Sequence, residues 1–312
     1  MATYYVTTSG SNGNAGTSEG AAWANPGYAA SQMSTGDVCY VKSGTYTLTT
    51  STAGSGGPVS LPQGVIMEGY QITPGDLGTP PVIFAGAITS VNLVSAAGSL
   101  SVSRCRNLKV DGNSNSGVHG FAASFRDLVE RCVATRCVFG FNQVNALESL
   151  ADSCSSRGFQ NCNATLCHAR NCPVGFALFG SRLQVVSCIA EGGSGNGFLT
   201  GSSLTTEYAP LLAFCHAYGY GSNGFFLQVA NAQTIACCAV GNGAYGFNVA
   251  QTSIVMRGCA GYGNTSGNTN AGAPISVTSL TADPYDNAAA GDFNLNNVAG
   301  GGAVLRGLTA EV

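Results

Sequence analysis

The residues best placed to do chemistry are acids and arginines between Arg104 and Arg170, because from 192 to 282 only Glu207 and Arg257 carry formal charge. Glu130 leads them. Counted on one repeat marker, Asp152 falls one repeat further along; counted on a second marker, Glu148 does. If successive repeats stack as strands, either carboxylate would lie ~4.8 Å from Glu130, the spacing of neighbouring strands. Two carboxylates that close could share the work of glycoside hydrolysis, raise one another's pKa or hold calcium. Asp127, Arg131 and Arg104 would complete such a patch. The plainer reading is a solvated face on which Arg131, Arg104 and Arg157 offset the acids. On that reading there are no catalytic residues.

The histidines and cysteines point the same way. His168 and His216 each occupy the middle of a Cys-x-Ala triplet and should face away from the core. A repeat carrying Ile189 separates them, so they should stand ~10 Å apart, too far to share a metal; surface histidines are expected. The chain has 13 cysteines and no C-x-x-C pair, which argues against a zinc site. Cysteines packed beside Ala are expected to be small buried hydrophobes. Cys137, Cys162 and Cys172 fall outside that series and are expected to be surface thiols or cross-links. No metal and no cofactor is expected.

Composition narrows the scaffold. Glycine is 44 of 312 residues, 45% are apolar, and 9% are charged against a usual ~25%. Disordered chains are poor in apolar residues and rich in charge, so short strands with tight turns fit better. Net charge is -3 and the 12 basic residues form no run, which excludes a nucleic-acid footprint. No apolar stretch reaches the ~18 residues of a membrane span. Met1-Ala-Thr-Tyr-Tyr-Val6 lacks the regions of a signal peptide. The expectation is a chain that stays in the cytoplasm or leaves by another route, such as lysis.

The elements that must position these residues come from a repeat. Gly-Phe recurs at 120, 140, 158, 175, 197, 224 and 246, in steps of 20, 18, 17, 22, 27 and 22. A second series is Cys-x-small, starting at Cys132, Cys154, Cys167, Cys188, Cys215, Cys237 and Cys259. Apart from Cys154, and Cys259 after the last Gly-Phe, each cysteine precedes its Gly-Phe by eight or nine residues. Alternation within each copy has the period of a strand, and helical periodicity is missing. A repeat of strand and turn without helix predicts a β-solenoid. Phe should fill the lumen, Cys and Ala its crowded side, and Gly the turns of positive φ. Cys154 is out of phase. Gly-Phe spacing sets Leu150 against Cys132, and residues 148–156 are expected to be distorted.

Tyr4-Tyr5-Val6, Ser9-Gly10, Gly16-Thr17, Ala22-Trp23 and Gly36-Asp37-Val38-Cys39-Tyr40-Val41-Lys42-Ser43-Gly44-Thr45-Tyr46 resemble the opening segment of the pectate-lyase-like β-helix superfamily. Asp283-Pro284-Tyr285 and Gly291-Asp292-Phe293-Asn294-Leu295 resemble its closing segment. The resemblance implies an all-β chain, a right-handed parallel β-helix (solenoid) with an N-terminal cap and an irregular C-terminal segment. Cap and first coil would occupy 1–50, further coils 51–265 and a capping segment 266–312. That fold hosts lyases, hydrolases, epimerases, phage tailspikes and structural proteins, so it does not by itself give an activity. The paired Asp, Gly-His-Gly and Arg-x-Lys of polygalacturonase-like members are missing; Val118-His119-Gly120 comes nearest. The acidic calcium cluster and Arg-x-x-x-Arg of pectate lyases are not evident either. Thr47-Leu-Thr49 and Thr205-Thr206 are too isolated for an ice-binding ladder.

Two functions follow as expectations. One is a non-catalytic structural or surface protein, such as a bacteriophage decoration, fibre or tail component. The other is a polysaccharide lyase or glycoside hydrolase working at Glu130. Partners would be further copies of the chain, other virion or surface proteins, or a polysaccharide, and neither nucleic acid nor membrane. The place would be a virion or extracellular surface reached without a signal peptide, or alternatively the cytoplasm.

Overall fold

The computed structural model describes residues 1–54, 56–96, 102–123, 126–180, 183–201, 209–270 and 277–310. Glu207 and Thr205-Thr206 lie outside them. The chain is all-β, a right-handed parallel β-helix, and divides into two compact units, Met1–Asn163 and Ala164–Val312.

In the first unit, sheet A runs Thr3–Val6, Val38–Lys42, Ile66–Tyr70, Arg104–Arg106, Leu128–Glu130 and Asn145–Leu147. Sheet B runs from Thr45–Thr47 through Val82–Phe84, Lys109–Asp111 and Val133–Thr135 to Leu150–Asp152. Sheet C runs from Val59–Leu61 through Asn92–Ala96, His119–Ala122 and Phe139–Asn142 to Arg157–Gln160. The opening strand is followed by a short helix, Pro26–Gln32, begun by the Asn25 side chain accepting from Tyr28 N–H and by Pro26 at its first turn. The second unit repeats the three sheets from His168–Arg170 onward and ends in an antiparallel pair, Tyr285–Asn287 with Asp292–Leu295, and the helix Gly302–Ala310.

The Gly-Phe marker lies on sheet C. Phe121, Phe141 and Phe159 are buried and stack at 5.2 and 4.6 Å between ring centroids. In the second unit Phe176, Phe198, Phe225 and Phe247 stack at 4.9, 4.7 and 4.7 Å. Burial and offset ring packing both stabilise such columns. The glycine before each Phe has a steric reason rather than a torsional one. A Cβ at Gly140 would stand 2.7 Å from the Gly158 carbonyl oxygen and 2.9 Å from Ala151 Cβ.

Glycine takes positive φ as expected at Gly192, Gly219, Gly241 and Gly263, after sheet B strands, but rarely at the corner before sheet B. From Arg104–Arg106 onward a single left-handed residue follows each sheet A strand that leads into sheet B, and few of these are glycine. In the first unit they are Asn107, Arg131 and Glu148, at φ of 50, 51 and 48°. In the second they are Leu166, Ser187, Phe214, Ala236 and Gly258. A left-handed L-residue costs ~1–2 kcal/mol. Ladder hydrogen bonds that run on through the corner offset it: Asn107 N–H donates to the Glu130 carbonyl (3.1 Å) and Arg131 N–H to that of Leu147 (2.9 Å).

Residues 148–156 are not distorted. Leu150–Asp152 pairs residue for residue with Val133–Thr135, so Leu150 lies over Val133 rather than Cys132. Ser149 takes the place of the cysteine, and its Oγ accepts from Cys132 N–H at 3.2 Å. Cys154 belongs to a second column. It follows left-handed Ser153 as Cys137 follows left-handed Arg136, and Ser155 N–H donates to the Cys137 carbonyl at 2.8 Å.

Candidate functional site

Four charged residues of the first unit, Glu68, Arg104, Arg106 and Glu130, meet on the outer face of sheet A. Register sets Tyr5, Tyr40, Glu68, Arg106, Glu130 and Leu147 in one column. Arg104 stands in the neighbouring column, over Ile66 and beside Leu128. Strand alternation explains the placement: Met67, Cys105 and Val129 point inward and are buried, so their neighbours point out. Glu130 pairs with Arg104, and its other oxygen lies 3.5 Å from Arg106 Nε. Arg106 also lies 3.5 Å from Glu68. Glu130 is 7% exposed and Glu68 9%, so the charges are drawn well out of water and matched there. Arg104 Nε and Arg106 Nε make no hydrogen bond.

The expected carboxylate pair does not form. Glu130 lies over Leu147, because the extra residue of the Gly-Phe step falls after sheet B, where 153–156 takes the place that 136–138 has in the coil before. Asp152 sits on sheet B opposite Thr135. Glu148 occupies the corner itself and binds Arg131 Nε at 2.5 Å. Asp127 leaves the face as well: it is 3% exposed and accepts from Ser103 N–H at 2.9 Å. Arg157 lies on sheet C, 5.4 Å over the Phe139 ring, with His119 stacked on that ring at 4.7 Å. Burial lowers the His119 pKa. The arrangement is Glu130 between two guanidinium groups, one of them shared with Glu68, so the two acids are separated by Arg106 rather than adjacent.

Sequence reading missed Glu68 and Arg106. The signal was present: Arg106 precedes Leu108 by two residues, as Glu130 precedes Cys132. A polar recess of about 430 Å³ near the N-terminus was also missed, lined by Thr7, Thr8, Ser9, Glu19, Gly20, Lys42 and Ser43. There Lys42 lies 2.8 Å from Glu19, to which Tyr70 donates at 2.5 Å. Lys42 and Tyr70 together hold the Glu19 pKa below the usual carboxylate value.

The other candidates are accounted for by packing. All thirteen cysteines are buried and none forms a disulfide, Cys137, Cys162 and Cys172 included, which corrects the expectation of surface thiols or cross-links. Burial pushes the Cys132 and Cys238 thiols up to about 12 and Cys259 to about 11, so thiolate chemistry is suppressed. His168 and His216 are separated by Ile189 as expected. They are not simple surface groups: His168 lies 3.0 Å from Glu191, and His216 Nδ1 lies 2.5 Å from Tyr285 Oη. Among the described residues no group of three or more His, Cys, Asp or Glu could hold a metal ion.

No family model matches the sequence, and no curated protein matches it. Solved structures do. The A-module of mannuronan C-5 epimerase AlgE4 from Azotobacter vinelandii is 18% identical, with a TM-score of 0.56 over 80% of this chain and 84% of that one. The AlgE6 A-module from the same organism is also 18% identical, at 0.56 over 81% and 85%. Pectate lyase Pel9A is 16% identical, at 0.47 over 90% and 78%. At such identities the likeness shows the fold alone, a right-handed parallel β-helix.

Proposed function

We propose that this protein is a non-catalytic structural β-helix, a component of a virion or similar surface assembly such as a decoration, fibre or tail protein. The supporting observation is the state of Glu130. A general acid must exchange its proton within reach of a substrate, whereas this carboxylate is committed to Arg104 and Arg106. Partners on this reading are further copies of the chain, other surface proteins or a polysaccharide, met outside the cell after release. The test is an assay of wild type and Glu130→Gln against a panel of uronate and neutral polysaccharides, followed by product size and by unsaturated ends. No turnover by either is expected. Turnover by wild type that Glu130→Gln abolishes would overturn the proposal and establish the carbohydrate-active alternative.

A further inference from the structure

The C-terminal segment of the second unit lies on the outer face of sheet B. Tyr285, Ala288, Leu280 and Leu305 are buried there against Cys238, Val240 and Ala260. Phe293 meets Tyr285, Tyr218 and His168 edge-on, at 5.3, 5.7 and 6.2 Å between centroids. In the middle of this apolar contact sits one base. His216 faces outward because Cys215 and Ala217 beside it are buried, and the segment covers it through Tyr285.

We propose that residues 277–310 form an acid-released clasp: protonation of His216 opens the segment from sheet B and bares the apolar face beneath it.

The chemistry follows from what surrounds the imidazole. With His216 neutral, Nδ1 and the Tyr285 hydroxyl share one hydrogen bond across 2.5 Å, donated by whichever of the two carries the hydrogen. Burial holds the Tyr285 pKa well above that of free tyrosine, so the phenol keeps its proton. An imidazolium in the same place would need a carboxylate. On the sheet, Glu191 stands on the coil next to His216, in the Tyr218 column, and lies 3.0 Å from His168, which is two coils from His216. Cys238 in the His216 column is a raised, neutral thiol, and Tyr218 lies one column away. On the segment, Asp283 acts on Tyr285 and Cys238, while Asp286 is exposed and Asp292 accepts from Asn294 N–H. Arg306 donates to the Leu295 and Asn296 carbonyls and adds positive charge. Protonation therefore places an unmatched cation against rings and a thiol.

Removal from water pulls the His216 pKa down to about 4, against ~6.5 in an unfolded chain. The open form binds the extra proton, so docking is complete above ~6.5 and is lost as pH falls towards 4.

Backbone hydrogen exchange of residues 277–310, measured on the whole protein from pH 7.5 to 4 and corrected for intrinsic rates, tests the clasp. Protection should fall by up to about tenfold per pH unit below ~6.5. His216→Phe keeps a ring but no base, and its protection should stay flat. Unchanged protection in wild type, or the same fall in His216→Phe, would overturn the proposal. Should His216→Phe fail to dock at pH 7.5, a proton NMR titration of His216 in wild type decides. A midpoint well below 6.5 that tracks the opening supports the clasp; an unshifted midpoint with protection intact contradicts it.

Discussion

Glu130 in the first unit and His216 in the second are both titratable groups drawn from water, and the two units treat them in opposite ways. Around Glu130 the sheet face supplies two guanidinium groups, so the charge is kept and matched. Around His216 it supplies a phenol, a thiol and ring edges, so the charge is expelled. The backbone is the same at both places: an outward position on a three-residue strand, with an inward neighbour packed in the core. What differs is the company that neighbouring coils and the closing segment bring. The fold thus fixes where a side chain stands and leaves its protonation to residues far away in sequence.

That comparison assumes a shared core, which gives the largest expected effect. Phe141→Ala in the first unit and Phe225→Ala in the second should each cost ~3–5 kcal/mol, read from denaturant unfolding. A large cost in one unit alone would mean that the two columns are not equivalent. Next, Glu130→Gln keeps the shape and leaves two guanidinium groups facing each other. A loss of about 1–3 kcal/mol is expected, set below the fully buried case because Arg104 and Arg106 are partly solvated. Tyr285→Phe should cost ~1–2 kcal/mol at pH 7 by leaving His216 Nδ1 without its hydrogen-bond partner, seen as faster exchange in residues 277–310. The smallest effect belongs to Arg131→Ala. Its contact with Glu148 is exposed, so the unfolding midpoint should not move measurably at physiological salt.

Much of the fold could be read from the residues. Gly-Phe and Cys-x-Ala gave the coil period, because each marks a position where a lumen tolerates one size of side chain. The site was less legible, for a local reason. Ser149 stands in the column that Cys132 begins, and Cys154 in the one that holds Cys137. A count by cysteines therefore set Glu130 against Asp152, and a count by Gly-Phe, which takes in the extra residue of 153–156, set it against Glu148, instead of Leu147. Glu68 and Arg106 escaped because an ion-pair column repeats position and charge, not residue type. The covering of His216 was beyond any periodicity: Tyr285 is 69 residues away, in a segment outside the repeat.

The double-mutant cycle between Glu130 and Arg106 bears most directly on the claim that this carboxylate serves the scaffold. Unfolding free energies of Glu130→Gln, Arg106→Gln and the double variant would give the coupling. The structure predicts favourable coupling of about 0.5–3 kcal/mol, little changed by added salt. Coupling indistinguishable from zero would contradict it, and Glu130 would then stand free on the sheet face for other work.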